Sequence, residues 1–437
     1  MRAGTASRPA GPGTASRPAG LGRRLGSLAV VMGLALAVVT AGPAAATDDP
    51  LFARQWNLTQ IGATEAWATA AGGNVLIGVV DTGVDLSHPD LEGKVVASAD
   101  CLNTYGCRDG AGQDDNGHGT EVSGIAAAAT GNRRGIAAAA PDARLVVAKS
   151  LESGGSGRVD DINAGIRWVV DHGARVVNLS LGDEDFGLTS QVGTPLRPGI
   201  EYAWSRGAVA VLASGNYREG AAPSGSPNYG DVDALVVGAT TRSGDVASYS
   251  TSIGNAKWGL VAPGGVGQGG GPDDNVITTG LGGGYTAVAG TSAAAPHVAA
   301  AVAVLLGMGL DAPQAVDRVL TTLDKLKPCG EGCQGRLDLA TAVARGGPPA
   351  TNVPAVAPSK PGGSPESGDR STNPATPAGD VPTPPKVSAK GNEQATGAAG
   401  GGGRNPAVVA LAVVLAIGTA SATGWVGFDR LRGGGGW

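Results

Sequence analysis

The sequence predicts an α/β protein: a doubly wound, mostly parallel central sheet with helices on both faces, followed by a separate C-terminal transmembrane helix. Three observations predict it. Short, β-branched apolar runs bounded by Gly, Asp, Ser or Asn recur through the middle of the chain, the pattern of strands covered on both faces. Helical stretches alternate with these runs, as a parallel sheet requires. A separate uncharged run close to the C-terminus has about the twenty residues needed to cross a bilayer.

The elements follow in chain order. Residues 1–22 repeat Gly-Thr-Ala-Ser-Arg-Pro-Ala-Gly with a nine-residue period; the segment is basic, lacks core-forming residues and reads as disordered. Arg23-Arg24, the apolar run Leu28–Val39 and Gly42-Pro43-Ala44-Ala45-Ala46 form a basic region, a hydrophobic region and a small-residue cleavage site. That order is a secretory signal, so 1–46 is a leader. The paired Arg is compatible with twin-arginine export, and an ordinary basic leader looks the same. The globular domain is expected over 47–345. Its strands are Val75–Val80, Leu145–Ala148, Val176–Leu179, Ala208–Ala213 and Leu235–Val237. Its helices are Thr120–Ala129, Val159–His172, a stretch around Ile200–Arg206, and Ser292–Met308. Residues 346–404 are rich in Pro, Gly and Ser and read as an extended linker. A transmembrane helix is expected over 405–428, in the run Ala407–Phe428. Arg430 and Arg432 outweigh Arg404 and place the tail 429–437 in the cytoplasm. The domain is therefore expected outside the cell membrane, on a single-pass anchor.

At 437 residues the chain has room for one large domain plus appendages. The net charge of −5 and the lack of a basic patch exclude nucleic acid as a partner. The four Cys fall into two close pairs, Cys101 with Cys107 and Cys329 with Cys333. Four Cys allow three pairings, and local pairing is the simplest. A loop that small stabilises by about 2 kcal/mol in the chain-entropy account. Export permits disulfides, and the spacings do not suit zinc.

Four segments carry the chemistry. Gly290-Thr291-Ser292-Ala293-Ala294-Ala295-Pro296-His297 puts a hydroxyl at a helix N-terminus, where free N–H groups favour negative charge. Pro296 is expected in the first turn, where no donor is needed. A serine there more commonly caps the helix; it can also be a nucleophile beside an oxyanion donor. Asp81-Thr82-Gly83-Val84 follows a strand, Asn116-Gly117-His118-Gly119-Thr120 opens a helix, and Ala213-Ser214-Gly215-Asn216 follows another strand. A serine nucleophile needs a base near neutral pKa, a carboxylate to orient that base, and an oxyanion donor. His118, Asp81 and Asn216 supply these types. Taken singly, Asp81 and Asn216 would be turn or cap residues. His88 reads as a loop residue, His172 as a helix end and His297 as structural.

The order Asp, His, Asn, Ser, carried by Asp-Thr-Gly-Val, Gly-His-Gly-Thr, Ser-Gly-Asn and Gly-Thr-Ser-x-Ala-x-Pro-His, resembles the subtilisin family of serine proteases over roughly 49–345. Asp49-Pro50-Leu51-Phe52, Arg54-Gln55-Trp56, His88-Pro89-Asp90-Leu91 and Asn132-Arg133-Arg134-Gly135-Ile136-Ala137 look most like its thermitase branch. The resemblance implies a triad of Asp81, His118 and Ser292, with Asn216 and the Ser292 N–H as oxyanion hole. It implies that Gly155, Ser156, Gly157 and Ser180, Leu181, Gly182 pair with substrate backbone. It implies a structural Ca²⁺ held by Asp49, Asp90 and Asn132 and the carbonyls of Ala129, Arg134 and Ile136, a donor set suited to Ca²⁺; a loop closed by other contacts is the alternative. No organic cofactor is expected. The partner is a peptide or unfolded protein, with a hydrophobic S1 preference as the family default.

Some positions depart from the family. Glu121 replaces the usual His and sits at helical spacing from His118, where it is expected to raise the basicity of that His or to alter the groove. Ala293 stands where many subtilisins have Met. Asp183-Glu184-Asp185 follow the groove segment. Little chain separates Ala46 from Asp49, so the inhibitory pro-domain is expected to be absent. The order of leader, protease, Pro-rich linker and anchor is similar to mycosins, which adds secretion-system components as possible partners. An inactive subtilase scaffold that binds peptides is the non-enzymatic alternative.

Overall fold

A computed structural model describes residues 47–103, 106–181, 195–217 and 229–346. The expected leader, linker, transmembrane helix and tail lie outside the described residues, as do Gly182 and Asp183-Glu184-Asp185. Among the described residues no helix is long and apolar enough to cross a membrane.

The helices are α1 (Trp56–Gln60), α2 (Ala63–Trp67), α3 (His118–Ala127), α4 (Val159–Asp171), α5 (Arg197–Ser205), α6 (Thr291–Gly307), α7 (Ala312–Thr321) and α8 (Leu339–Ala344). The strands are β1 (Leu76–Asp81), β2 (Val95–Asp100), β3 (Arg108–Asp109), β4 (Arg144–Lys149), β5 (Val176–Leu179), β6 (Val209–Ala213), β7 (Ala234–Thr240), β8 (Trp258–Pro263), β9 (Val276–Thr279) and β10 (Tyr285–Val288). The first eight strands form one sheet in the order β3-β2-β4-β1-β5-β6-β7-β8. It is parallel except for the short edge strand β3. β9 and β10 make a separate antiparallel hairpin.

Alternation along each strand feeds two cores. Ile77 and Val79 of β1, Val176 of β5 and Val209 and Val211 of β6 join the core beneath α6. Val80, Val177, Leu179, Ala210 and Leu212 join the one beneath α4 and α5. This period of two is the pleat itself. It explains why the runs read as continuously apolar: both faces are covered. Gly78 lets α4 approach, because a Cβ there would lie 2.7 Å from Val169 Cγ2. The local pairing is the one formed, Cys101–Cys107 and Cys329–Cys333.

α6 is apolar all round and runs through the middle of the larger core, packing on β5, β6, β7 and β8 and on α3. Its start differs from the expectation in two ways. The N-cap position is Gly290, so Thr291 and Ser292 are the first and second helical residues and Ser292 is not a cap. Pro296 is the sixth helical residue rather than a first-turn one. Its missing N–H leaves the Ser292 carbonyl without its intrahelical donor. The Ser180 hydroxyl takes that place, donating to Ser292 O at 2.8 Å. α3 likewise begins at His118, two residues before the expected Thr120, because Gly117 takes a positive φ of 116° and turns the chain into the helix. β2, β3, β8 and the hairpin add to the predicted strands. β2 is partly exposed, and β3 and the hairpin strands are short, so they carry no strong apolar run; β8 is buried over Gly259–Pro263, and its run is broken by Gly259 and ends at Pro263.

Candidate active site

The chain leaves β1 toward β2 and β4 on one side, and the later strands β5 to β8 lie on the other. The order thus reverses at β1, and a crevice opens beyond the carboxyl ends of such strands. Three adjacent strands end there in polar residues. β1 ends in Asp81, Ser180 follows β5, and Asn216 lies just beyond β6. The first turns of α3 and α6 are tied to these ends.

Asp81 is fully buried, and its Oδ1 accepts from Thr82 N at 2.7 Å and from His118 Nδ1 at 2.8 Å. A carboxylate acceptor fixes the proton on Nδ1, so His118 Nε2 is an acceptor. Burial opposes charging His118, but the Asp81 charge and hydrogen bond, with Glu121 and Asp114, outweigh it and raise the pKa.

Asp114, which the sequence reading missed, ties the candidate site together. It accepts from Thr82 Oγ1, Asn116 N and Gly117 N on one oxygen and from Thr120 N and Thr120 Oγ1 on the other. Burial disfavours its charge, but these donors hold its pKa below the ordinary value. Thr82 Oγ1 in turn accepts from Gly119 N. Asp114 thereby locks the Asp81 turn to the start of α3, and His118 to Asp81. The signal was an Asp four residues before the His. Lys149, buried at the end of β4, adds a second tie: it donates to Thr82 O and Leu151 O and pairs with Asp115 at 2.6 Å.

At α6, Asn216 Oδ1 accepts from Thr291 N at 2.9 Å and Thr291 Oγ1 at 3.2 Å. Its oxygen caps the helix, which turns its Nδ2 donors the other way. A Cβ on Gly290 would lie 3.6 Å from both Asn216 Nδ2 and Ser292 N. Two N–H donors thus border one space that only a glycine leaves open. The Ser292 hydroxyl donates to Ser180 O at 3.2 Å, so Ser180 and Ser292 hold each other reciprocally.

In the groove segment, Gly155 N donates to Glu152 O and Glu152 N donates to Ser156 O, forming a turn after β4. Asn116 Nδ2 reaches Ser153 O and joins this turn to the His118 loop. A Cβ on Gly157 would lie 2.5 Å from Leu151 Cδ2. Leu181 is buried.

The family model for the subtilase family matches residues 72–322. The chain belongs to the subtilase family. Over 300 residues it is 35% identical to thermitase of Thermoactinomyces vulgaris, spanning 68% of this chain and 98% of that protein. It is 36% identical over 282 residues to a thermophilic serine proteinase of Bacillus sp. (strain AK1), spanning 64% of each. Among solved structures, a protease of Pseudoalteromonas arctica PAMC 21717 superposes with a TM-score of 0.60 at 26% identity, covering 69% of this chain and 99% of that one.

The subtilase domain also brings together the expected metal ligands. Asp49 and Asp90, both buried, arrive from separate segments onto the 129–136 loop. Asp49 accepts from Gly131 N and Asn132 N; Asp90 accepts from Asn132 Nδ2 and Ile136 N. Among the described residues neither carboxylate has a basic partner. Arg133 pairs with Asp48, and Arg134 faces Glu92 at 4.0 Å. Tyr285 stacks on Gly135, where any Cβ would overlap its ring. Among the described residues no three or more His, Cys, Asp or Glu converge to hold a metal. The set here has two carboxylates, an amide and carbonyls. Two buried carboxylates without a basic partner fit a hard divalent cation.

The other His are structural. His88 Nε2 meets Gly284 O and its Nδ1 accepts from Asp90 N. His172 closes α4, with its Nδ1 at Trp168 O. His297 is sealed between Ala293 O and Asn57 Nδ2, and burial pushes its pKa down to about 4.

Proposed function

We propose that this subtilase is a serine endopeptidase that cleaves peptides or unfolded protein, with Asp81, His118 and Ser292 as triad. The observation that carries the reading is the buried Asp81–His118 pair, with Nε2 left basic, at the same strand ends that hold Ser292. His118 Nε2 takes the Ser292 proton as Oγ attacks the peptide carbonyl, then delivers it to the leaving amine. Water repeats the sequence in reverse and frees the acyl group. Asn216 Nδ2 and Ser292 N–H receive the developing oxyanion in the space beside Gly290. Attack requires Oγ to swing from Ser180 O toward His118, a side-chain rotation that frees the Ser180 carbonyl for substrate N–H. Gly155, Ser156, Gly157, Ser180 and Leu181 line the acyl side as an added-strand groove. A fluorophosphonate probe is expected to label Ser292 stoichiometrically in folded protein; an unlabelled, folded domain would sink this reading.

Asp49, Asp90 and Asn132, with the carbonyls of Ala129, Arg134 and Ile136, would hold Ca²⁺, which offsets the two buried carboxylates and pins the loop to the N-terminal segment. Chelation with EDTA is expected to lower the melting temperature, and added Ca²⁺ to restore it. Equal melting curves in both conditions would exclude the ion.

We place the domain outside the cell membrane on the 405–428 helix, from the leader and the uncharged run that flank it in sequence. Full-length chain is expected to stay with alkali-washed membranes and a 1–345 truncation to be released. Full-length chain in the wash would remove the anchor.

A further inference from the structure

We propose that Glu121 is a positioning residue for His118, a second carboxylate that acts on the imidazolium beside Asp81 and sets the acid limit of activity. The inference rests on the protease reading above and deepens it.

Glu121 lies one turn beyond His118 on α3, the i,i+3 spacing at which side chains share a face. Its backbone is held at both ends: N donates to Gly117 O, and O accepts from Thr278 Oγ1 of the hairpin. Its carboxylate is not spent on any other partner. Among the described residues no ion pair or side-chain hydrogen bond involves it, and the charge that acts on it most strongly is that of His118. The carboxyl oxygen Oε1 lies 3.9 Å from the point where a Gly117 Cβ would sit, and Leu281 Cγ lies 3.5 Å from the same point. The carboxylate and an apolar side chain thus flank the residue that precedes His118. Glu121 is half-buried and Leu281 is itself exposed, so water screens the charge only in part. Burial pushes the Glu121 pKa up to about 7, His118 pulls against that, and Asp114 and Asp81 add to it.

The other charges around the pair are accounted for. β1 contributes Asp81, and the turn before α3 contributes Asp114 and Asp115. Lys149 neutralises Asp115. α6 contributes His297, which burial keeps neutral. β9 contributes none. Tyr285 of β10 is turned toward Asp90. The remaining field at His118 is therefore that of Asp81, Asp114 and Glu121, and forming the imidazolium relieves repulsion among them. Glu121 and His118 titrate as a coupled pair, so the proton that stops catalysis on acidification belongs to both.

The test reads His118 directly. In a Ser292→Ala background, the His118 ring is titrated by NMR in three proteins: one with Glu121 intact, one carrying Glu121→Gln and one carrying Glu121→Asp. The expected result is a downward shift of the His118 pKa by about one unit in Glu121→Gln, with partial return in Glu121→Asp. In active enzyme the acid limb of kcat/KM should move to lower pH by the same amount and become a single protonation. An unchanged His118 titration in folded Glu121→Gln overturns the proposal. If that variant does not fold, Glu121→Ala is titrated in its place and must lower the His118 pKa; no shift there overturns it too. The ring titration does not depend on hydrolysis. A wild-type protein that fails to label with fluorophosphonate would therefore count against the protease reading, while the NMR result would still decide the role of Glu121.

Discussion

Replacing Ser292 by Ala is expected to abolish peptide hydrolysis while leaving the fold intact. The loss should be at least about 10⁴-fold in kcat, the order of what a triad adds beyond binding and oxyanion donors. The physical reason is that no other group stands in the same place. Ser292 is the second residue of α6, and its own N–H and Asn216 Nδ2 border the space beside Gly290. Removing Oγ removes the proposed attacking atom but neither donor. The Ser180 hydroxyl still donates to the carbonyl that Pro296 leaves free. Melting temperature should therefore stay close to the wild-type value, because the one contact deleted is a 3.2 Å hydrogen bond to Ser180 O. The measurement pairs peptide turnover with thermal unfolding. Turnover retained to within tenfold would assign the nucleophile elsewhere. Because the triad acts as a unit, adding His118→Ala to Ser292→Ala should cost almost nothing more.

Asp81→Asn should lower kcat by about 10⁴-fold, with a much smaller change in KM. Asp81 Oδ1 accepts from both Thr82 N and His118 Nδ1. An Asn amide preserves that shape but can keep only one orientation. With its oxygen toward Thr82 it can still accept from His118, yet it no longer stabilises the imidazolium; with its nitrogen toward His118 it demands the opposite tautomer, and Nε2 becomes a donor that cannot take the Ser292 proton. The sign of the pH effect follows. Asp81 raises the His118 pKa against burial; without its charge the imidazolium form is lost at lower pH, and the acid limb of the residual rate moves down. A kcat within tenfold of wild type, or an acid limb unmoved, would contradict the role given to Asp81.

Much of this was legible along the chain. The strand positions β1, β4, β5, β6 and β7 follow from covered apolar runs, because two-sided burial writes itself into consecutive residues. The edge strand β2 and the hairpin were not legible: a half-exposed strand such as Val95–Asp100 mixes Val with Ser, Ala and Asp and offers no such run. Helix starts at His118 and Thr291 came out one or two residues early because glycines with positive φ, with no capping side chain of their own, turn the chain into both. Asp114 escaped notice for a similar reason. Its five donors come from both sides of the sequence gap between Thr82 and Thr120, and nothing in Asp-Asp-Asn-Gly-His says which of them it will meet.

By itself the sequence determined the family, the parallel α/β architecture and the residue types of the site: an Asp, a His, an Asn and a Ser, each at the end of an apolar run or the start of a helix. These are local properties, set by the periodicity of burial and by the chemistry of short motifs. Only the tertiary structure decided how those residues are held. It chose local disulfides from three possible pairings, and it made Asn216 the cap of α6, so that its nitrogens face outward. It set the Ser180 hydroxyl on the carbonyl orphaned by Pro296, 112 residues away in sequence. It also put Leu281 and the Glu121 carboxylate side by side at Gly117, the residue that precedes His118. Such contacts join segments far apart in the chain, and their energies depend on burial and close approach, which no local pattern of residues encodes.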